Sequence, residues 1–177
     1  MKILKTISIL TLAWLISACS AYQYKQYSPT IEGANILDLS EGEAETAIVY
    51  FDTVAYREMG IPFHRFLLAT HLNDQPLPSA GRKSTLDLDG HQALRIKPGE
   101  HNIQWCWGSM NSLGTGGSLC GFNVGSFLYE PHKMYLISWR SKNRISGSPQ
   151  MQTHTMEINT VISDLETGEI IFPKPTH

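Results

Sequence analysis

No stretch of the chain's body keeps a helical apolar spacing through three turns, and this excludes helical bundles and alternating α/β plans. Apolar residues come instead in short runs, mostly of period two, separated by turn-forming residues. Ala47–Phe51 (AIVYF) is apolar at every position and reads as a central strand. Residues 66–72 form a second candidate. Leu86 and Leu88 alternate with Asp87 and Asp89, Asp89-Gly90 predicts a two-residue hairpin turn, and Leu94 and Ile96 alternate beyond it. Pro98-Gly99 fits the centre of a type II turn. The next strand places His101, Ile103, Trp105 and Trp107 on one face, with Asn102, Gln104 and Cys106 on the other. Residues 134–139 and 156–163 read as strands, and residues 169–172 pair back after a turn at Thr167-Gly168. Many short strands between turns predict an all-β, antiparallel β-sandwich, and 177 residues suit a single domain.

The N-terminus has a different character. Lys2 and Lys5 precede an uncharged run, TISILTLAWLI at residues 6–16, which is too short to span a bilayer but has the length of a signal-peptide core. Ile16-Ser17-Ala18-Cys19 follows. This run resembles the lipobox of bacterial lipoprotein precursors. The resemblance implies cleavage after residue 18, a thioether diacylglycerol on Cys19, and acylation of the new amine. Such a lipid would anchor the chain stably without a transmembrane helix. Ser20 in place of an acidic residue implies, by the same resemblance, transfer to the outer membrane with the body facing the periplasm. Residues 19–45 read as a polar tether, with Tyr22, Tyr24 and Tyr27 near the anchor and an acidic run from Glu41 to Glu45. The sandwich is expected over residues 46–177. Removing residues 1–18 leaves 12 cations against 16 acids, a formal −4, which disfavours nucleic acid as a partner. It also disfavours a body that lies flat on an anionic membrane.

Four segments of the body carry a second resemblance: Leu72-Asn73-Asp74-Gln75-Pro76-Leu77, residues 91–101 around Pro98-Gly99, Glu130-Pro131-His132-Lys133-Met134-Tyr135, and residues 164–170 with Thr167-Gly168-Glu169. Together they are similar to PEGA-like modules and related bacterial lipoproteins. That resemblance implies an Ig-like or transthyretin-like sandwich in the cell envelope and no catalysis.

Two cysteines remain after lipidation, Cys106 and Cys120. In an oxidising periplasm such a pair predicts a disulfide, and its loop of fifteen residues would contribute about 3 kcal/mol in the chain-entropy account. Because Cys106 falls on the polar face of its strand, the bridge is expected on the surface or at a sheet edge. Between the cysteines runs WGSMNSLGTGGSL, expected to be a glycine-rich loop clamped at its base. Trp107, Met110, Leu113 and Phe122 make this loop the candidate binding surface, since aromatic residues and methionine are enriched at interfaces. Trp105 and Trp107 also read as core residues, because they share a face with Ile103.

The histidines of the mature chain form no HxH or HExxH spacing, and there is neither a GxSxG nor a CxxC motif. No metal or cofactor is therefore expected, and no enzyme. The expectation is an outer-membrane-anchored periplasmic lipoprotein that binds or scaffolds an envelope protein. Alternatives are a subunit of an envelope-spanning secretion assembly, or a small hydrolase of cell wall or lipid.

Overall fold

The computed structural model describes residue 28 and residues 32–82, 88–111, 116–148 and 151–173. These form strands β1 (Ile36–Asp38), β2 (Ala47–Phe51), β3 (Thr53–Glu58), β4 (Ile61–Leu72), β5 (Gln75–Pro76), β6 (Gly81–Arg82), β7 (Leu88–Asp89), β8 (Ala93–Ile96), β9 (Gly99–Asn111), β10 (Gly116–Tyr129), β11 (Met134–Ser148), β12 (Met151–Asp164) and β13 (Ile170–Phe172). One sheet has the order β1-β8-β2-β11-β12-β13 and the other β10-β9-β4-β3, with β5 on β4; β6 and β7 pair separately. The two larger sheets pack as a β-sandwich. Most pairs are antiparallel, while β1 with β8 and β2 with β11 run parallel.

Alternation explains the core. Ala47, Val49 and Phe51 of β2 point inward, as do Leu67 and Ala69 of β4, Ile103 and Trp105 of β9, and Ile137 of β11. Trp105 is fully buried. Burial of this kind contributes roughly 25 cal/mol per Å² of apolar surface.

One stretch of chain serves both sheets in turn. The chain passes from β2 to β3 at Asp52, whose N–H donates to the Ile137 carbonyl in the first sheet and whose carbonyl accepts from the Leu67 N–H in the second, both at 2.9 Å. A second crossing follows β8, where Gly99 adopts φ +136° and opens β9. The Pro98-Gly99 turn therefore joins the two sheets rather than two neighbouring strands.

Three expectations need correction. Asp89-Gly90 is not a hairpin turn, because β7 pairs with β6 and β8 pairs with β1 and β2. Gly90 is needed for close packing instead: a Cβ there would lie 2.7 Å from Leu68 Cβ and 2.8 Å from the Ala69 carbonyl oxygen. Leu86 and Asp87 lie outside the described residues. The folded body also starts before residue 46, within the segment expected to be tether. Ile36–Asp38 pairs with β8, and Leu37 and Leu39 pack on the core. The third concerns the run between the cysteines. β9 continues to Asn111 and β10 begins at Gly116, so most of the expected loop is hairpin strand. Gly108 lies beneath the Phe66 ring, and a Cβ on Gly116 would collide with the Ser109 carbonyl oxygen. These glycines mark tight strand contacts.

The closing hairpin forms as expected. Asp164 Oδ1 accepts from the N–H groups of Glu166 and Thr167 at 2.9 and 3.0 Å, and Lys133 Nζ lies 3.0 Å from Oδ2. The Thr167 backbone bond, followed by the Lys133 contact, holds this carboxyl below the ordinary Asp value of 3.8. A depressed folded value means the stabilisation is present above the unfolded value and disappears as pH falls through the folded one. Asp164→Asn should therefore be less stable than the wild type at neutral pH, and the gap should close below about pH 4. Chemical denaturation across pH 2–7 measures it, and a gap unchanged down to pH 2 would contradict the assignment.

Candidate functional site

Cys106 and Cys120 are direct cross-strand partners in β9 and β10, with their sulphurs 2.08 Å apart, a disulfide. The bridge lies on the outer face of its sheet, as the polar-face reading expects, but it is not simply exposed. Cys106 is buried in a small second cluster with Phe66, Leu68, Leu88 and Met110, while Cys120 is open to solvent.

The expected binding residues separate. Successive side chains of a strand point to opposite faces, so Met110 faces outward into this second cluster while Trp107 faces the inter-sheet core. Trp107 meets Trp139 edge to face at 6.4 Å, and the Arg65 guanidinium stands 5.1 Å from the Trp139 ring. Trp107 therefore takes the core role that its shared face with Ile103 allows. Leu113 lies outside the described residues, as does Cys19. Phe122 is half-buried and stacks on Trp105 with ring centroids 4.4 Å apart.

Phe122 also leads to a feature the sequence did not reveal. It lines a cleft of about 420 Å³ between the open sides of the two sheets, with Gly121, Asn123 and Val124 on one wall and Ile158, Asn159, Thr160, Phe172 and Pro173 on the other. Two register shifts in β10 shape the first wall, with Gly121 at φ +93° and Gly125 at φ +76°. The Asn123 side-chain oxygen accepts from the Gly125 N–H and folds the second irregularity. Thr160 Oγ1 donates to the Asn123 carbonyl at 3.3 Å and ties the two walls together at one point.

Among the described residues, the strands that form the cleft each have a free side. β10 is the outermost strand of its sheet. β12 meets β13 only at Ile162 and Ser163, so residues 151–161 pair with β11 alone. The lining contains apolar and amide side chains and one hydroxyl, and no titratable group. No group of three or more His, Cys, Asp or Glu placed to hold a metal ion is found among the described residues.

Replacing both Cys106 and Cys120 by Ala should lower the melting temperature by about 6–12 °C under oxidising conditions. Reductant should bring the wild type down to the same value. Differential scanning calorimetry with and without reductant tests this, and an equal fall of wild type and variant on adding reductant would exclude a stabilising bridge.

Comparison of the chain with family models, with curated proteins and with solved structures gives no match.

Proposed function

We propose that this chain is a lipid-anchored protein of the bacterial envelope whose β-sandwich is a non-catalytic binding module. Its anchor is Cys19, its compartment is the periplasmic side of the outer membrane, and its partner is an envelope protein. The lipobox-like Ile16-Ser17-Ala18-Cys19 and the disulfide pair, which suits an oxidising space, support the location. The similarity to PEGA-like modules supports a binding role. The observation that carries the reading is the cleft bounded by β10 and β12, each with a free strand side.

A free strand side offers unpaired backbone N–H and C=O groups to an extended segment of a partner. Phe122, Val124, Ile158 and Phe172 supply apolar contact for its side chains, and Asn123, Asn159 and Thr160 supply hydrogen bonds. A lining without carboxylate, histidine or thiol suits recognition better than acid–base or nucleophilic chemistry.

Two measurements test the proposal. Cys19→Ala should move the protein from the membrane fraction to the soluble fraction; a variant that still sediments with membranes would overturn the anchor. A photo-crosslinking residue at Asn159 should give a discrete protein adduct in cells, and the same residue at Glu166, remote from the cleft, should not. The adduct should disappear when Thr160→Lys places a charge in the cleft. Adducts of equal yield at both positions, or none at Asn159, would remove the cleft as the binding site.

A further inference from the structure

The Asp52 crossing divides the sandwich into two ends of opposite charge. On one side lie the turns that begin β2 and close β12. There, loops 41–46 and 164–169 carry six carboxylates, Glu41, Glu43, Glu45, Asp164, Glu166 and Glu169, against two cations, Lys97 and Lys133, which pair with Glu41 and Asp164. On the other side project the β3–β4, β9–β10 and β11–β12 hairpins. They carry four basic residues, Arg57, Arg140, Lys142 and Arg144, against two carboxylates, Glu58 and Glu157, while Arg65 stays at the crossing over Trp139. Arg140, Lys142 and Arg144 occupy alternate positions of β11, where β11 and β12 run on as a two-stranded ribbon for eleven pairs past Ile137.

The tip of the β3–β4 hairpin adds an independent anomaly. Met59-Gly60 is a two-residue turn with φ +49° and +82° between the paired residues Glu58 and Ile61. Positive φ at both positions strongly favours Asn-Gly, and a long unbranched apolar side chain is a poor choice at the first. Met59 is 97% exposed and gains no packing in return. Beside it, Tyr56 is partly exposed and stacks on Phe63 at 5.4 Å. An exposed apolar tip with an aromatic neighbour and Arg57 two residues before it has the composition of a membrane-interface contact.

The chain's reach allows this end to meet the bilayer. Ser28 is held by the Gln92 side chain: its N–H donates to Gln92 Oε1 at 2.9 Å and its carbonyl accepts from Gln92 Nε2 at 2.8 Å. Gln92 also donates to Thr53 Oγ1 at 2.8 Å, so Ser28 lies level with the crossing. Nine residue steps from Cys19 to Ser28 span at most about 30 Å. From Ser28 the described chain turns away from the basic end, since β1 runs toward the acidic end.

We infer that the basic end docks on the anionic lipid surface that holds the anchor, with Met59 in the headgroup region. The placement rests on the anchor proposed above, whereas the surface itself can be tested without the lipid. The mature chain from residue 19 carrying Cys19→Ser should co-float with vesicles of phosphatidylcholine mixed with phosphatidylglycerol, and not with phosphatidylcholine alone. Joint Arg140→Gln, Lys142→Gln and Arg144→Gln should weaken that binding about tenfold or more. Met59→Asn should raise the melting temperature, since Asn suits the turn, and yet weaken vesicle binding. That opposite response separates a surface contact from a folding defect. Equal binding to both vesicle types, binding unchanged in the two variants, or no binding to either vesicle would overturn the inference, whatever the fate of Cys19→Ala in cells.

Discussion

The sandwich depends on backbone links between its sheets, of which the crossing at Asp52 is bonded to both and the Ala69–His91 pair is a second. Asp52 spends its N–H on Ile137 and its carbonyl on Leu67, so β2 and β3 cannot slide independently. A one-residue slip of β2 would move Ala47, Val49 and Phe51 out of the core. A slip of β3 against β4 would break the pairing of Glu58 with Ile61 and open the Met59-Gly60 turn. The Asp52 side chain is partly buried at the crossing, and this burial pushes its carboxyl above the ordinary value while Arg65 pulls the other way. Arg65 also stands over Trp139, which touches Trp107, so the charge at the crossing and the aromatic contact between the sheets share one guanidinium. The crossing marks a change in packing: on one side both sheets close around Trp105 and Tyr129, and on the other the hairpins run on beyond the six-stranded sheet's central strand.

The exposed strand of such a sandwich is a risk, because an unpaired strand can recruit any other. β10 manages that risk with its own irregularities and the disulfide. The bulges at Gly121 and Gly125 break the flat row of backbone groups, and Cys120 fixes the strand to β9 just before the first of them. What remains accessible is a short irregular wall beside Phe122. Its selectivity would come from shape and hydrogen bonding, since its residues carry no charge.

Much of the strand plan was legible because it rests on local rules. AIVYF, the alternation from His101 to Trp107, and the Thr167-Gly168 turn all fold as their own residues dictate. The failures share a physical cause. Gly90, Gly108 and Gly116 look like turn or loop glycines, yet the close neighbour of Gly90 lies more than twenty residues away and that of Gly108 more than forty. Gly116 is confined by the strand that precedes it across the hairpin. Glycine composition cannot distinguish the freedom to turn from the need to let another chain approach. The cleft was invisible for a related reason: it is formed by residues 121–124 and 158–160 with the chain's last described segment, brought together by sheet stacking alone. Phe122 is the one lining residue that the sequence marks as a binding candidate, and there it reads as part of the loop beside the cleft. Trp107 and Met110 part company because β9 runs on to Asn111, so the alternation that makes Trp107 a core residue continues through the expected loop and sends Met110 to the other face.

Net charge is a sum over the surface, and this fold shows why the sum misleads. A formal −4 for the chain from residue 19 argues against contact with an anionic surface only if the charge is evenly spread. Here the crossing sorts it, with carboxylates concentrated in the turns at one end and basic residues along the hairpins at the other. At physiological ionic strength the field of exposed charges fades within about 8 Å. A bilayer touching the hairpin end would therefore respond to Arg57 and Arg140 and not to Glu41 or Glu169. In the proposed orientation the cleft, level with Trp105 and Trp139 rather than with the tips, faces sideways. An anchored body resting on its basic end would keep that opening free for a partner.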